Sequence, residues 1–465
     1  MGVVEVKKDK KYEYIPPDGG WGYLIGVAVI INLTTVSAFV PCFGMIFKHL
    51  LPQLGMDSTS VTLMNGISAF NIAITGIFTS SMLKYLSIRK LGLIAAFVFN
   101  LGLFGTVFVQ TKMAFFFCTG VLQGLGNGLI FNLSCTMLNN YFVKRRFLAV
   151  SFTQTVVGLT TLLAPQFVKW ALESYGLRGT LLLICCISMQ SVVAMALMQP
   201  VAWHMIRVEV PEDKENDQDN AEMKSLLKDA EEMKKEINTN ERDNLKEERQ
   251  KTSSIKEFIS KTIDISSLKP FLLSSASIGV ALSVSCDFTF TIMLPQALYS
   301  MGWSENNVAW ALSLNAMGDL VTRATFIFMS NWLHRIGSHE IYICGLVISF
   351  VSRLAMICTN NMMVMTIFIV IMGISRCTIT VLISLVVADS VSEDKFSSAM
   401  GIILMLFGIL NLSLGPIVGT IRDLTDSYST ALYTLTAGFG IIAVFWTLEL
   451  IYKRKKNRKS PCTKA

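Results

Sequence analysis

Apolar stretches of about 20 residues, each able to cross the ~30 Å hydrocarbon layer of a bilayer as an α-helix, recur along this chain almost without relief. They fall near residues 21–46, 60–82, 91–110, 113–139, 146–172 and 178–200, and again near 270–298, 304–332, 338–357, 362–387, 397–420 and 429–452. A chain built of such stretches has few folds open to it. In lipid every backbone N–H and C=O must find its partner internally, which leaves helices or a closed barrel, and stretches of this length are helical. The charged fraction, 16% against about a quarter in soluble domains, agrees with a lipid environment. The expectation is an all-α membrane protein with twelve transmembrane helices.

Between the sixth and seventh stretches the chain changes character. Residues 209–261 carry mixed charge and almost no aromatics, cannot bury a core, and read as a solvated linker. The expected organisation is an N-terminal tail (1–20), a six-helix half (21–202), a charged linker (203–268), a second six-helix half (269–452) and a basic tail (453–465). The short basic turns YLSIRKLG and WLHRIGSH occupy the same place in each half, a faint internal repeat. Parallel six-helix halves with a site between them are the plan of the major facilitator transporters.

Lys84, Arg89 and Lys90, then Lys144, Arg145 and Arg146, then KRKKNRK after the last stretch all fall on one side, so both termini and the linker are expected in the cytoplasm. Lys7, Lys8, Lys10 and Lys11 precede a first stretch too long for a signal-peptide core, which reads as a retained helix. The net charge of +7 restates this bias; it suits anionic inner-leaflet lipid and offers no basic face for nucleic acid. The ten cysteines lie mostly inside the apolar stretches without metal spacing, and neither metal nor cofactor is expected.

Charges at membrane depth are the informative residues, because each costs at least ~2.5 kcal/mol on insertion scales. Asp319 and Arg323 stand four apart in AMGDLVTRAT, on one helix face; Asp287 lies in the seventh stretch and Arg376 in the tenth. Such groups mark a substrate or ion pathway, or else form pairs that fix helix packing. An arginine keeps its proton and presents a planar fork that matches a carboxylate. An aspartate on which burial and a neighbouring guanidinium act in opposite directions loads or releases a proton as they change. That makes Asp319, and after it Asp287, the candidates for proton coupling. His49, His204, His334 and His339 lie in loops or at the ends of stretches and do not compete. Arg353 and Glu449 read as snorkelling residues near the ends of lipid-facing helices. Gly120, Gly124, Gly126 and Gly128, with Gly408, Gly415 and Gly419, permit close helix approach.

Four ordered motifs resemble the monocarboxylate transporter family. PPDGGWGYLIG (16–26) is similar to its opening signature, in which Asp18 would cap the first helix, Gly19 and Gly20 make the entry turn, and Trp21 sits in the interfacial belt. GLGNGLIFNLSCTMLNNYFVKRRFLA (124–149) resembles the segment that ends in Lys144, Arg145 and Arg146; AMGDLVTRA resembles the eighth-helix motif, and KFSSAMG (395–401) the start of the eleventh helix.

The resemblance implies a major facilitator fold that carries small carboxylates across the plasma membrane without an enzymatic step, by symport in proton-coupled members. There Asp319 would take the proton while Arg323 holds the substrate. Some relatives need a single-pass immunoglobulin-like chaperone. This chain departs at AFVPCF (38–43), which lacks the first-helix lysine of proton-coupled members. Arg376 stands where lactate-type members have phenylalanine, with Thr380 one turn on, and Gln154 lies between Ser151 and Val156 where the fifth helix usually has glycines. The candidate substrate-binding set is Arg323, Arg376, Thr380, Gln154 and Asn132. Two other readings stand: a membrane sensor on a transporter scaffold that moves nothing, and a carrier of amino-acid-like or zwitterionic solutes.

Overall fold

The computed structural model describes residues 12–15, 17–142, 145–209, 271–272, 274–328, 337–388, 390–391 and 396–459. The N-terminal lysines, Lys144, Lys395, the linker beyond 209 and the turn before Gly337 lie outside the described residues. Among the described residues the apolar stretches are helical: α1 Trp21–Ser37, α2 Ser58–Tyr85, α3 Ile88–Val107, α4 Gly124–Tyr141, α5 Arg146–Ser188, which holds the fifth stretch and the first part of the sixth, and α6 Gln190–Leu197, then α7 Ser275–Ser300, α8 Glu305–Phe328, α9 Ser338–Cys358, α10 Met362–Ala388, α11 Phe396–Thr425 and α12 Tyr428–Lys459. Among the described residues ten segments are long and apolar enough to cross a membrane, so this is a multi-spanning helical membrane protein. One of them, Leu148–Leu197, runs 50 residues and bends at Gly176, where φ is 65°. The helix α8 is less apolar because Asp319 and Arg323 lie within it.

Local chemistry explains the irregularities. The first stretch leaves the α-helix after Ser37, passes through a 3-10 turn at Val40–Cys42 that takes Pro41 at its start, and resumes at Phe43–Ile46. A wide π turn, Phe116–Gln123, leads into α4. The fold is not wholly helical. Tyr12–Ile15 (β1) and Ile206–Glu209 (β2) pair antiparallel, with Tyr12 opposite Glu209 and Ile15 opposite Ile206, so the segment before α1 is tied to the segment after α6.

The opening signature does its work by docking rather than capping. Gly20 holds the N-cap position of α1 with no side-chain cap, and Asp18, itself at φ 43°, accepts from the Arg145 backbone N–H at 3.3 Å. A Cβ on Gly22 would lie 3.2 Å from the Phe142 ring, so only glycine lets α1 approach the end of α4 this closely. Trp21 stacks on His204 with ring centroids 5.0 Å apart, and the Tyr141 hydroxyl donates to the Gln199 carbonyl at 2.9 Å. Two of the motifs, 120 residues apart in sequence, thus meet at one end of the bundle. Arg146 opens α5.

Helices before residue 200 meet those after residue 270 along α2–α11 and α5–α8. On α11, Gly419 faces Thr59, Gly415 faces the Thr62 carbonyl, and Gly408 faces Ala73 and Phe70 of α2. The glycine at 66 of α2 answers them, flush against the Asn411 backbone. Without side chains at these points the backbones touch. Two turns beyond Gly408, a Cβ on Gly401 would meet nothing within 4 Å.

Candidate functional site

The ionisable residues at depth gather on α7, α8, α9 and α10. A glycine crossing brings α8 and α10 together: a Cβ on Gly318 would lie 2.5 Å from the Val370 carbonyl, and one on Gly373 would collide with the Asn315 carbonyl. The Asn315 side-chain amide donates to the Ile369 carbonyl at 3.0 Å and fixes the register. Asp319 follows the first glycine by one residue and Arg376 follows the second by three. The two ion pairs are therefore neighbours because the two backbones are.

In the first pair, Arg323 Nε donates to Asp319 Oδ2 at 2.9 Å and Nη2 to Oδ1 at 3.4 Å, the bidentate arrangement that four-residue spacing on a helix permits. In the second, Asp287 holds two arginines, one on each oxygen. Arg353 Nη2 reaches Oδ1 at 2.5 Å and Arg376 Nε reaches Oδ2 at 3.2 Å. Asp287 is 5% exposed and Arg353 1% exposed. The Arg353 guanidinium lies over the rings of Phe439 at 3.9 Å and Phe290 at 4.5 Å. Phenyl faces are negative, so this sandwich compensates a cation that makes few hydrogen bonds.

Arg353 is the residue that hydropathy misplaced. It does not snorkel to a lipid headgroup: it is the buried partner of Asp287. A signal was present in α9, where Tyr342, Gly345, Leu346, Ser349, Ser352, Arg353 and Met356 are all buried and recur at helical spacing. Small residues on that face mark a packed side rather than a lipid side.

The other candidates are dispersed around this centre. Thr380 donates to the Arg376 carbonyl of its own helix at 3.0 Å, one turn on. Gln154 is half-buried on α5, one turn from Gly158, whose Cβ would lie 3.2 Å from Leu320 of α8. The antiparallel run of α5 along α8 brings Gln154 level with Arg323. Asn132 is elsewhere: its amide donates to the Gly128 carbonyl of α4 at 2.7 Å and lies against Gly76 of α2.

Among the described residues, three guanidiniums face two carboxylates in this cluster, an excess of one positive charge. The excess is not evenly placed. Arg353 is sealed, whereas the Arg376 side chain is 28% exposed with only its Nε committed to Asp287. An exposed guanidinium edge in a low-dielectric setting is a carboxylate receptor. Among the described residues no group of His, Cys, Asp and Glu is arranged to hold a metal ion.

Known proteins share this organisation. The family model of the Major Facilitator Superfamily matches residues 24–262 and 275–463. Monocarboxylate transporter 12 of Mus musculus is 26% identical over 460 residues, covering 96% of this chain and 89% of its own length. Monocarboxylate transporter 1 of Bos taurus is 26% identical over 440 residues, covering 93% and 84%. Among solved structures, a POT family transporter in complex with 5-aminolevulinic acid aligns with a TM-score of 0.66 at 13% identity, over 95% of this chain and 98% of that one. The nucleoside transporter NupG aligns with a TM-score of 0.65 at 13% identity, over 92% and 99%. Fold and sequence agree: the chain belongs to the major facilitator superfamily, as a multi-pass solute transporter whose sequence similarity runs to the monocarboxylate transporters.

Proposed function

We propose that this protein is a plasma-membrane carrier of small carboxylate-bearing organic solutes, working by alternating access between two six-helix halves, residues 21–202 and 269–452. The observation that carries this reading is the uncompensated positive charge at the α7–α10 cluster, displayed by Arg376 on its exposed side. A monoanionic solute completes the charge balance there, and a dianion reverses it. Arg323 and Arg376 hold the carboxylate, Thr380 and Gln154 line the path beside them, and Asn132 contributes from the opposing helices. The name of the similar transporters, monocarboxylate carriers, supports the same solute class.

Asp319 is the proton-coupling residue in this reading, and Asp287 the reserve. Asp287 carries an arginine on each of its two oxygens, whereas Asp319 is paired with Arg323 of its own helix. The missing first-helix lysine favours facilitated or weakly coupled transport. The test is uptake of labelled mono- and dicarboxylates into proteoliposomes at two external pH values. Saturable carboxylate uptake with a small pH effect is expected; binding without flux would make the protein a sensor instead.

A further inference from the structure

The face that carries residues 46–58 is held shut by carboxylates of one origin and donors of another. Glu305, first residue of α8, accepts from Lys48 Nζ at 2.9 Å. Asp423, near the end of α11, accepts from the Ser58 N–H at 3.0 Å on Oδ1, and on Oδ2 from the Thr59 N–H at 2.8 Å and the Thr59 hydroxyl at 2.7 Å. Those two N–H groups begin α2 and are donors that a helix leaves without intrahelical partners. The second of them, the Thr59 N–H, is one that the N-cap side chain normally takes. Asp57 occupies that N-cap position in extended geometry, φ −73° and ψ 166°, yet makes no capping bond. The helix is capped by another helix.

Beside this contact lies a cavity of about 520 Å³, lined by Lys48, Asp57, Gln296, Tyr299, Arg422 and Tyr428 among others. It keeps the contact within reach of solvent. Lys48 and Glu305 are themselves partly exposed, and Arg422 bonds Asp423 at 3.2 Å while its guanidinium rests on Tyr428. If α11 leaves α2, Asp423 retains Arg422 as a partner. The start of α2 would be left with bare donors, were Asp57 not already placed to take the Thr59 N–H.

We propose that Asp423 and Glu305 form a latch that closes this face, and that opening proceeds by cap exchange, the N-terminus of α2 passing from Asp423 to Asp57. The proposal rests on the alternating-access reading, since a latch is useful only to a face that opens. Asp57 then stabilises only the open form and Asp423 only the closed one, so their removal acts with opposite signs.

The reporter is Thr62→Cys, one turn into α2 and buried against Gly419, in a background without other cysteines. Its labelling by a membrane-impermeant thiol reagent reads the open population. Asp423→Asn should speed labelling about tenfold, through loss of charge-assisted bonds. Glu305→Gln should speed it about two- to fivefold, the measure of a partly exposed ion pair, and the swap Lys48→Glu with Glu305→Lys should return it to the parent rate. Asp57→Ala should slow it about threefold or more, because alanine cannot cap, whereas Asp57→Asn, an equally good cap, should keep the parent rate. The recovery by asparagine and by the charge swap separates these effects from misfolding. Asp57→Ala labelled as fast as the parent, or Asp423→Asn no faster, overturns the exchange. A swap that does not restore the rate overturns the Lys48–Glu305 half of the latch. Labelling needs no solute to cross, so failure of the carrier reading in the uptake assay is a separate result.

Discussion

Arg376, Arg353 and Arg323 are the same residue type in three settings, and their expected responses differ accordingly. Arg376→Phe leaves Asp287 with its buried partner Arg353 but removes the excess positive charge, so surface expression should persist while monocarboxylates inhibit less well, read by competition against labelled uptake. Arg353→Met instead strips a sealed carboxylate of its closest partner. Breaking a buried pair costs about 3 kcal/mol or more, and the variant should lose thermal stability in detergent, with Asp287→Asn on the same chain recovering part of it. For Arg323→Lys the charge stays and the fork goes; bidentate recognition fails, and uptake should fall about tenfold or more at unchanged expression. On the proposed reading of Asp319 as the proton carrier, whatever acceleration an inward proton gradient produces in the parent should vanish in Asp319→Asn.

At the scale of elements, glycine decides which helices touch. The α8–α10 crossing exists because residues 318 and 373 have no side chains, and it sets the Asp319 backbone against Gly373, three residues before Arg376. Gly373→Leu should force the helices apart and lower both folded yield and uptake, measured by size-exclusion profile and transport. Gly401→Ala is its counterpart on α11: a methyl there meets open space. Replacing a helical glycine with alanine is favourable by up to about 1 kcal/mol, so that variant should match or exceed the parent in thermal stability. The pair of substitutions separates a glycine required by contact from one that is merely tolerated.

For the whole molecule, the α2–α11 contact is tight from Thr59–Gly419 to Ala73–Gly408. The hydroxyls of Thr59 and Thr420 lie 3.2 Å apart across it. Thr59→Cys with Thr420→Cys puts two thiols within bonding reach, and oxidation should stop uptake, with reductant restoring it. If uptake continues through the crosslink, these two helices do not part during transport.

The sequence by itself determined the medium, the helices and one of the two ion pairs. Apolar length settles membrane crossing without reference to anything distant, because lipid leaves the backbone no other partner. The Asp319–Arg323 pair was legible for the same kind of reason: both residues sit on one helix, and a four-residue spacing fixes their geometry locally. Asp287, Arg353 and Arg376 are spread over three helices, and nothing local says that one carboxylate will hold two arginines. Hydropathy sent Arg353 to the lipid side because it scores a residue by its neighbours in sequence, not by the aromatic rings of Phe290 and Phe439 that close over it. The cap of α2 was hidden likewise, since Asp423, which supplies it, lies 365 residues from Ser58 and is brought there only by tertiary packing. Local rules describe what a segment satisfies for itself; where two segments satisfy each other, only their packing decides.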